Sequence, residues 1–207
     1  MKKFLVILIF LLLLTGCRRT DSILFKNEFE KYNTNSEYTK VSIPSDNPFF
    51  YITDDDLLEK IDNKEDMVVL FGYSKSNDTR NIIDKLIEVS KKENINKIYY
   101  LDILDIREDK DVNDNGEIVI TKEGSSSYLK IIDELKDYVN EYIIKNTIVG
   151  NRIYAPSILV IKNKNIEYKN IKSYLDTEED KNKDIEDMII TILEKYSKNS
   201  CDVNEGC

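Results

Sequence analysis

The chain alternates between short continuous apolar runs and longer stretches in which apolar residues recur every three or four positions. The short runs predict buried β-strands, because a strand covered on both faces shows no polar alternation. The longer stretches predict amphipathic helices, whose apolar residues form one stripe. In chain order, the pattern predicts a helix from Thr53, a strand at 67–71, a helix at 77–93, a strand at 98–103, a helix at 125–145, a strand at 157–161 paired with 166–169, and a helix at 179–197.

The first two predicted strands and the helix between them form a βαβ unit, so we expect parallel strands with a right-handed crossover. The charged segment 104–123 follows, and its Asn115–Gly116 pair predicts a small hairpin. One long helix is expected at 125–145. Its predicted stripe consists of Leu129, Ile132, Leu135, Val139, Tyr142 and Ile143.

The N-terminus has the pattern of a secretory signal. Lys2 and Lys3 precede the apolar run 4–14, which is shorter than the roughly 20 residues that a membrane-spanning helix needs. The next residues, Leu14-Thr15-Gly16-Cys17, resemble the lipobox of bacterial lipoproteins, in which the cysteine is acylated and the signal is cut before it. We therefore expect residues 1–16 to be a signal peptide and the lipid on Cys17 to hold the protein in the bilayer, on the outer face of the bacterial cytoplasmic membrane. The alternative is a plain signal peptide with an incidental cysteine.

The remaining sequence divides into three predicted regions. Residues 17–50 contain the lipidated cysteine and a polar segment without sustained periodicity, which predicts a tether. Residues 51–197 contain all the predicted elements and form the folded domain. Residues 198–207 form a short tail.

Charge and composition exclude several kinds of function. Removing residues 1–16 takes away Lys2 and Lys3 and changes the net charge from −9 to −11. An acidic body disfavours nucleic acid as a partner. The sequence contains no histidine, which excludes Ser-His-Asp and Cys-His catalysis by this chain alone and zinc sites built on imidazole.

Two segments of the chain match the pattern of a known family. Residues 68–80, Val-Val-Leu-Phe-Gly-Tyr-Ser-Lys-Ser-Asn-Asp-Thr-Arg, resemble the strand and active-site turn of the thioredoxin family. Residues 154–161, Tyr-Ala-Pro-Ser-Ile-Leu-Val-Ile, resemble the strand that a cis-proline opens. Arg80-Asn81 is similar to a subset of thioredoxin-like lipoproteins and bacteriocin-accessory proteins. The resemblance implies a three-layer αβα sandwich with a mixed central sheet.

The family's Cys-x-x-Cys falls on Ser76 and Thr79, and its buried acid falls on Leu70. An alcohol ionises too weakly to replace the thiolate, and two hydroxyls cannot store a dithiol's electrons. The turn formed by Ser76, Asn77, Asp78 and Thr79 is therefore expected to cap a helix, without a cofactor or metal. The resemblance implies a peptide-binding groove formed by Tyr73, Ser74, Ala155 and Pro156. The alternative is that Pro156 only shapes the entrance of the strand.

Two further sites remain open. Residues 111–118 resemble the first eight positions of an EF-hand loop, but Lys122 stands at the position of the bidentate glutamate. A solvated hairpin is therefore expected, and weak calcium binding is the alternative.

Cys201 and Cys207 are expected to form a disulfide outside the cytoplasm. The alternatives are an intermolecular disulfide or a mobile redox pair. The latter would make the protein a thiol–disulfide oxidoreductase instead of a redox-inactive module that binds peptide or protein segments at the cell envelope.

Overall fold

The computed structural model of the protein describes residues 20–172 and 181–198. This part of the chain contains five helices and nine strands. The helices are α1 (described from residue 20 and ending at residue 30), α2 (Asp54–Asp62), α3 (Asn77–Lys92), α4 (Ser126–Glu134) and α5 (Lys181–Lys198). The strands are β1 (Phe49–Tyr51), β2 (Met67–Gly72), β3 (Ile98–Asp102), β4 (Asp109–Val112), β5 (Ile118–Lys122), β6 (Asn140–Ile144), β7 (Thr147–Arg152), β8 (Ser157–Lys162) and β9 (Asn165–Asn170).

Five strands form a mixed sheet in the order β1-β3-β2-β8-β9. β1, β3 and β2 run parallel, whereas β8 is antiparallel to β2 and β9 is antiparallel to β8. The predicted βαβ unit is confirmed, since β2 and β3 pair in parallel with Val69 beside Tyr99. The predicted β8–β9 hairpin is also confirmed.

Helices cover both faces of this sheet, which gives an α/β fold of three layers. Val68 and Leu70 of β2 point to a core shared with α1, α3 and α5. The alternate residues Val69 and Phe71 point to a second core, shared with α2 and α4. All six residues of β2 are buried, because both of its faces are covered.

The predicted tether is wrong for residues 20–48. Residues 20–30 form helix α1, whose Phe25 and Phe29 are 0% exposed. Their rings stack on each other with centroids 4.4 Å apart, and both pack edge-on against Tyr100 of β3. Ile43 is buried in the same core. The segment is therefore an integral part of the domain.

The single helix predicted at 125–145 is also wrong. Helix α4 ends at Glu134, and the chain continues into the hairpin β6–β7. The backbone reverses at Lys145 and Asn146, both of which have positive φ. By contrast, the hairpin predicted at Asn115–Gly116 is confirmed as the turn between β4 and β5.

Several predicted features lie outside the described residues. These are the signal peptide, the lipidation site and the tail cysteines: 1–16, Cys17, Cys201 and Cys207. Within the described ranges, no helix is both long enough and apolar enough to cross a bilayer.

Candidate functional site

The turn between β2 and α3 is built around Ser76. The Ser76 amide donates to the carbonyl of Tyr73 at 3.0 Å, which closes the turn. Its hydroxyl accepts a hydrogen bond from the Thr79 amide at 3.1 Å. Ser76 is thus the N-cap of α3, as predicted, and its hydroxyl oxygen accepts a hydrogen bond from the first turn of the helix.

Thr79 is the third residue of α3, in its first turn, and is completely buried. Its methyl group packs so closely on Gly72 that a Cβ at Gly72 would come within 2.7 Å of it. Its hydroxyl oxygen has no hydrogen-bond partner among the described residues. Thr79 therefore fills space under the turn.

The segment containing Pro156 lies beside this turn. Phe71 pairs with Ser157, so residues 72–74 and 155–156 extend from the same end of the β2–β8 ladder. The Ala155–Pro156 peptide bond is cis. The Pro156 carbonyl accepts hydrogen bonds from the amides of Ile171 and Lys172, at 3.1 and 3.2 Å.

Ala155 differs from its neighbours because its backbone forms no hydrogen bond with any described residue. Neither its N–H nor its C=O has a partner within residues 20–172 and 181–198, although the residue is only 8% exposed. Most backbone groups at such a depth are paired, since leaving one unpaired costs free energy. Ala155 therefore offers one donor and one acceptor beside the turn.

The other two predicted groove residues have different surroundings. Tyr73 is half-buried, and its ring faces the guanidinium of Arg107 at 5.3 Å. Ser74 is buried, and its carbonyl accepts from Arg80 at 3.1 Å. Tyr73 thus lines the accessible side of the turn, whereas Ser74 belongs to its interior.

The sequence interpretation missed the structural role of Arg80, which is 1% exposed. Its guanidinium donates to the carbonyl of Phe29 at 2.8 Å and to Oδ1 of Asn33 at 2.8 Å, as well as to the carbonyls of Ser74 and Thr39. Burial lowers the pKa of Arg80. An arginine on the apolar stripe of a helix was the signal available in the sequence. These hydrogen bonds connect α1 to the turn between β2 and α3.

The loop after α1 covers the outer side of the same turn. The Thr39 amide donates to Oδ1 of Asn77 at 2.7 Å, and Nδ2 of Asn77 donates to the carbonyl of Glu37 at 2.9 Å. Asp78 forms an ion pair with Lys172 at 2.8 Å. Two of the four turn residues, Asn77 and Asp78, therefore bind neighbouring segments of the chain.

A carboxyl group missed by the sequence interpretation lies at the end of β3, where Asp102 stands beside Gly72. Its Oδ1 accepts from the Leu104 amide at 2.9 Å, and Tyr100 donates to its Oδ2 at 3.4 Å. Burial raises the pKa of Asp102. Asp102 thus lies on the strand adjacent to β2, whereas the resemblance implied a buried acid at Leu70, on β2 itself.

The EF-hand-like segment forms the turn of the β4–β5 hairpin. Oδ1 of Asn113 accepts from the amides of Asn115 and Glu117 at 3.0 and 2.9 Å. Asp111 forms an ion pair with Lys145 at 3.3 Å. In the described part of the chain, no group of three or more acidic or sulfur ligands is placed to hold a metal ion.

Comparison with protein-family models, with curated proteins and with solved structures finds no match to the chain.

Proposed function

We propose that the protein is a thioredoxin-like module, held at the outer face of the cytoplasmic membrane through Cys17, that binds extended peptide segments without exchanging disulfides. The element order supports the fold assignment. β2–α3–β3, then α4, then the β8–β9 hairpin and α5 follow the order of the thioredoxin fold. The hairpins β4–β5 and β6–β7 are additions on either side of α4.

The backbone of Ala155, which has no hydrogen-bond partner among the described residues, is the observation that carries the proposal. One donor and one acceptor on the same residue match what an extended peptide presents to the edge of a sheet. A peptide lying along residues 155–156 would form two main-chain hydrogen bonds there. The half-buried ring of Tyr73 supplies an apolar contact for a peptide side chain.

The chemistry of the turn supports binding over catalysis. The hydroxyl of Ser76 is used in capping α3, and that of Thr79 is buried. Neither oxygen can form the mixed disulfide through which thiol–disulfide exchange proceeds. The groups left to bind a peptide are the main-chain N–H and C=O of Ala155.

The position of α1 gives the anchoring proposal a geometric consequence. Residue 20, the first described residue of helix α1, stands three residues after Cys17 in the sequence. Three residues span at most about 10 Å, so an acylated Cys17 would keep the domain against the membrane surface. Changing Cys17 to Ser is expected to move the protein from the membrane fraction to the soluble fraction. An unchanged distribution would contradict acylation at this residue.

Peptide binding is tested with fluorescein-labelled peptides of about ten residues, which alternate apolar and polar side chains and lack cysteine. Matched peptides carry N-methyl groups on alternate residues, in either of the two registers. Methylation in the register facing Ala155 removes a donor and is expected to weaken binding by about tenfold or more. Fluorescence anisotropy on the full chain in detergent measures the affinities.

Two protein variants complete the experiment. Tyr73→Ala is expected to weaken binding, whereas Tyr138→Ala, an exposed tyrosine at the start of the β6–β7 region, serves as the control. The proposal is overturned if no peptide binds, or if both methylated forms bind as well as the parent peptide.

A further inference from the structure

Strand β5 forms an unprotected edge. It pairs only with β4 in the described part of the chain, and its residues 118–121 are all exposed. Ile118, Val119 and Ile120 are 49%, 42% and 47% exposed. Edge strands in soluble proteins are normally protected by charge, proline or a covering element. Here three consecutive apolar residues occupy the free edge.

The ladder shows which backbone groups face outward. The Asn113 amide donates to the Glu117 carbonyl at 3.0 Å, so these residues form a hydrogen-bonded pair. Hydrogen-bonded and non-hydrogen-bonded pairs alternate along an antiparallel ladder. Val119, opposite Asp111, therefore bonds to β4, whereas the N–H and C=O of Ile118 and Ile120 point away from it. The regular edge ends at Ile120, because the register shifts between Lys110 and Asp109.

We propose that β5 pairs with β5 of a second copy of this chain, antiparallel, about a two-fold axis at Val119. Ile118 then lies opposite Ile120 of the partner subunit, and the two symmetric pairs exchange four main-chain hydrogen bonds. Val119 faces Val119 of the partner subunit across the axis. The chain's own strand supplies every donor, acceptor and apolar contact that this edge requires.

Charge selects this register among the symmetric alternatives. With the axis at Val119, Glu117 lies opposite Thr121 of the partner subunit, and Lys122 lies opposite the partner's Gly116. With the axis at Ile120, Glu117 would face the partner's Glu123, and like charges directly opposite destabilise a sheet. With the axis at Ile118, Val119 would face the partner's Glu117. The Val119 register alone combines apolar pairs with no opposed like charges.

The contact involves one short strand from each subunit, so it falls below the roughly 1,000 Å² of a stable interface and forms a weak dimer. A weak dimer of this kind can be detected by trapping it with a disulfide between the two subunits. The test uses the full chain in detergent with Cys17, Cys201 and Cys207 changed to serine. Single cysteines are then placed at residues 118, 119, 120 and 121 and oxidised with copper–phenanthroline.

Only Val119→Cys is expected to form the dimer efficiently, at a yield at least about tenfold above the other three positions. At the axis, the two Cα atoms stand about 4.5 Å apart, within the range a disulfide spans. The two copies of residue 118, or of residue 120, are offset along the strands by about 7 Å and cannot be bridged. A maximum at residue 120, equal yields at all positions, or no dimer at any position would overturn the proposal.

Sedimentation equilibrium of the same cysteine-free chain provides a second readout. Val119→Lys places two like charges opposite each other at the axis, so this variant is expected to stay monomeric at concentrations where the parent begins to associate. Ile143→Lys changes an isoleucine on the other hairpin that is 53% exposed, somewhat more than Val119, and is the control, expected to associate like the parent. Identical association of the two variants would contradict pairing through β5.

Discussion

Thr79 combines complete burial with a hydroxyl oxygen that lacks a hydrogen-bond partner among the described residues. Thr79→Val keeps the shape and removes the unpaired oxygen, so we predict a gain in unfolding free energy of up to about 1 kcal/mol. Ser76→Ala removes the N-cap of α3 and is predicted to cost about 1 kcal/mol. Urea denaturation measures both changes. A loss of more than about 1 kcal/mol in Thr79→Val would mean that the hydroxyl makes a stabilising contact.

Asp102 makes stability depend on pH. Burial raises its pKa in the folded state above the value of 3.8 for an exposed carboxyl. The stabilisation that comes from protonated Asp102 is therefore complete below that value and is lost as the pH rises through the folded-state pKa. We predict that Asp102→Asn is more stable than the parent at about pH 7, by about 1 kcal/mol or less, and that this advantage disappears near pH 3.

Urea denaturation at several pH values tests this prediction. Asp105→Asn, which changes an exposed carboxylate three residues further on, is the control and is expected to show a smaller dependence on pH. A stability difference for Asp102→Asn that stays constant across the pH range would contradict a raised pKa.

The N-terminal helix contains a matched pair of residues for testing whether α1 belongs to the core. Phe25 is fully buried and its neighbour Leu24 is 51% exposed. We predict that Phe25→Ala lowers the unfolding free energy by about 3–5 kcal/mol, because it leaves a cavity among aromatic rings. Leu24→Ala is predicted to change it by about 0.5 kcal/mol or less. Equal small effects, measured by urea denaturation, would mean that α1 does not contribute to stability.

Elements with strong local signals were predictable from the sequence. β2, α3, β3, β8 and β9 follow from apolar periodicity, and Ser76 follows from its place before an amphipathic helix. Helix α1 was not predicted because it lies in a polar segment. Its burial depends on contacts with Tyr100 and Arg80, which are distant in sequence.

The β6–β7 hairpin escaped prediction for a different reason. Val139, Tyr142 and Ile143 continue the helical spacing of α4, so periodicity alone favoured one long helix. The β-branched residues around Lys145–Asn146 indicated strands, and a reversal through two residues of positive φ separates them. At the site, Arg80 and Asp102 were missed because burial of a charged group is decided by tertiary packing.

For the whole molecule, the proposed function implies that the turn, where Ser76 and Thr79 carry hydroxyl groups instead of thiols, has no reductase activity. We predict that the full chain carrying Cys201→Ser and Cys207→Ser reduces insulin with dithiothreitol no faster than a protein-free blank. The parent chain, measured alongside, shows whether the tail cysteines contribute any activity. Acceleration by the double variant would mean that electrons are transferred without the tail pair, which contradicts a redox-inactive turn.

Recognition of extended peptide through the main chain of Ala155 is tested most directly at that residue's amide. Nuclear magnetic resonance of the full chain in detergent follows the Ala155 amide proton with and without the unmethylated peptide. Hydrogen bonding to the peptide is predicted to move this proton downfield and slow its exchange by at least about tenfold, while Val160, inside β8, stays unchanged. An Ala155 amide unaffected by saturating peptide would contradict the proposed function.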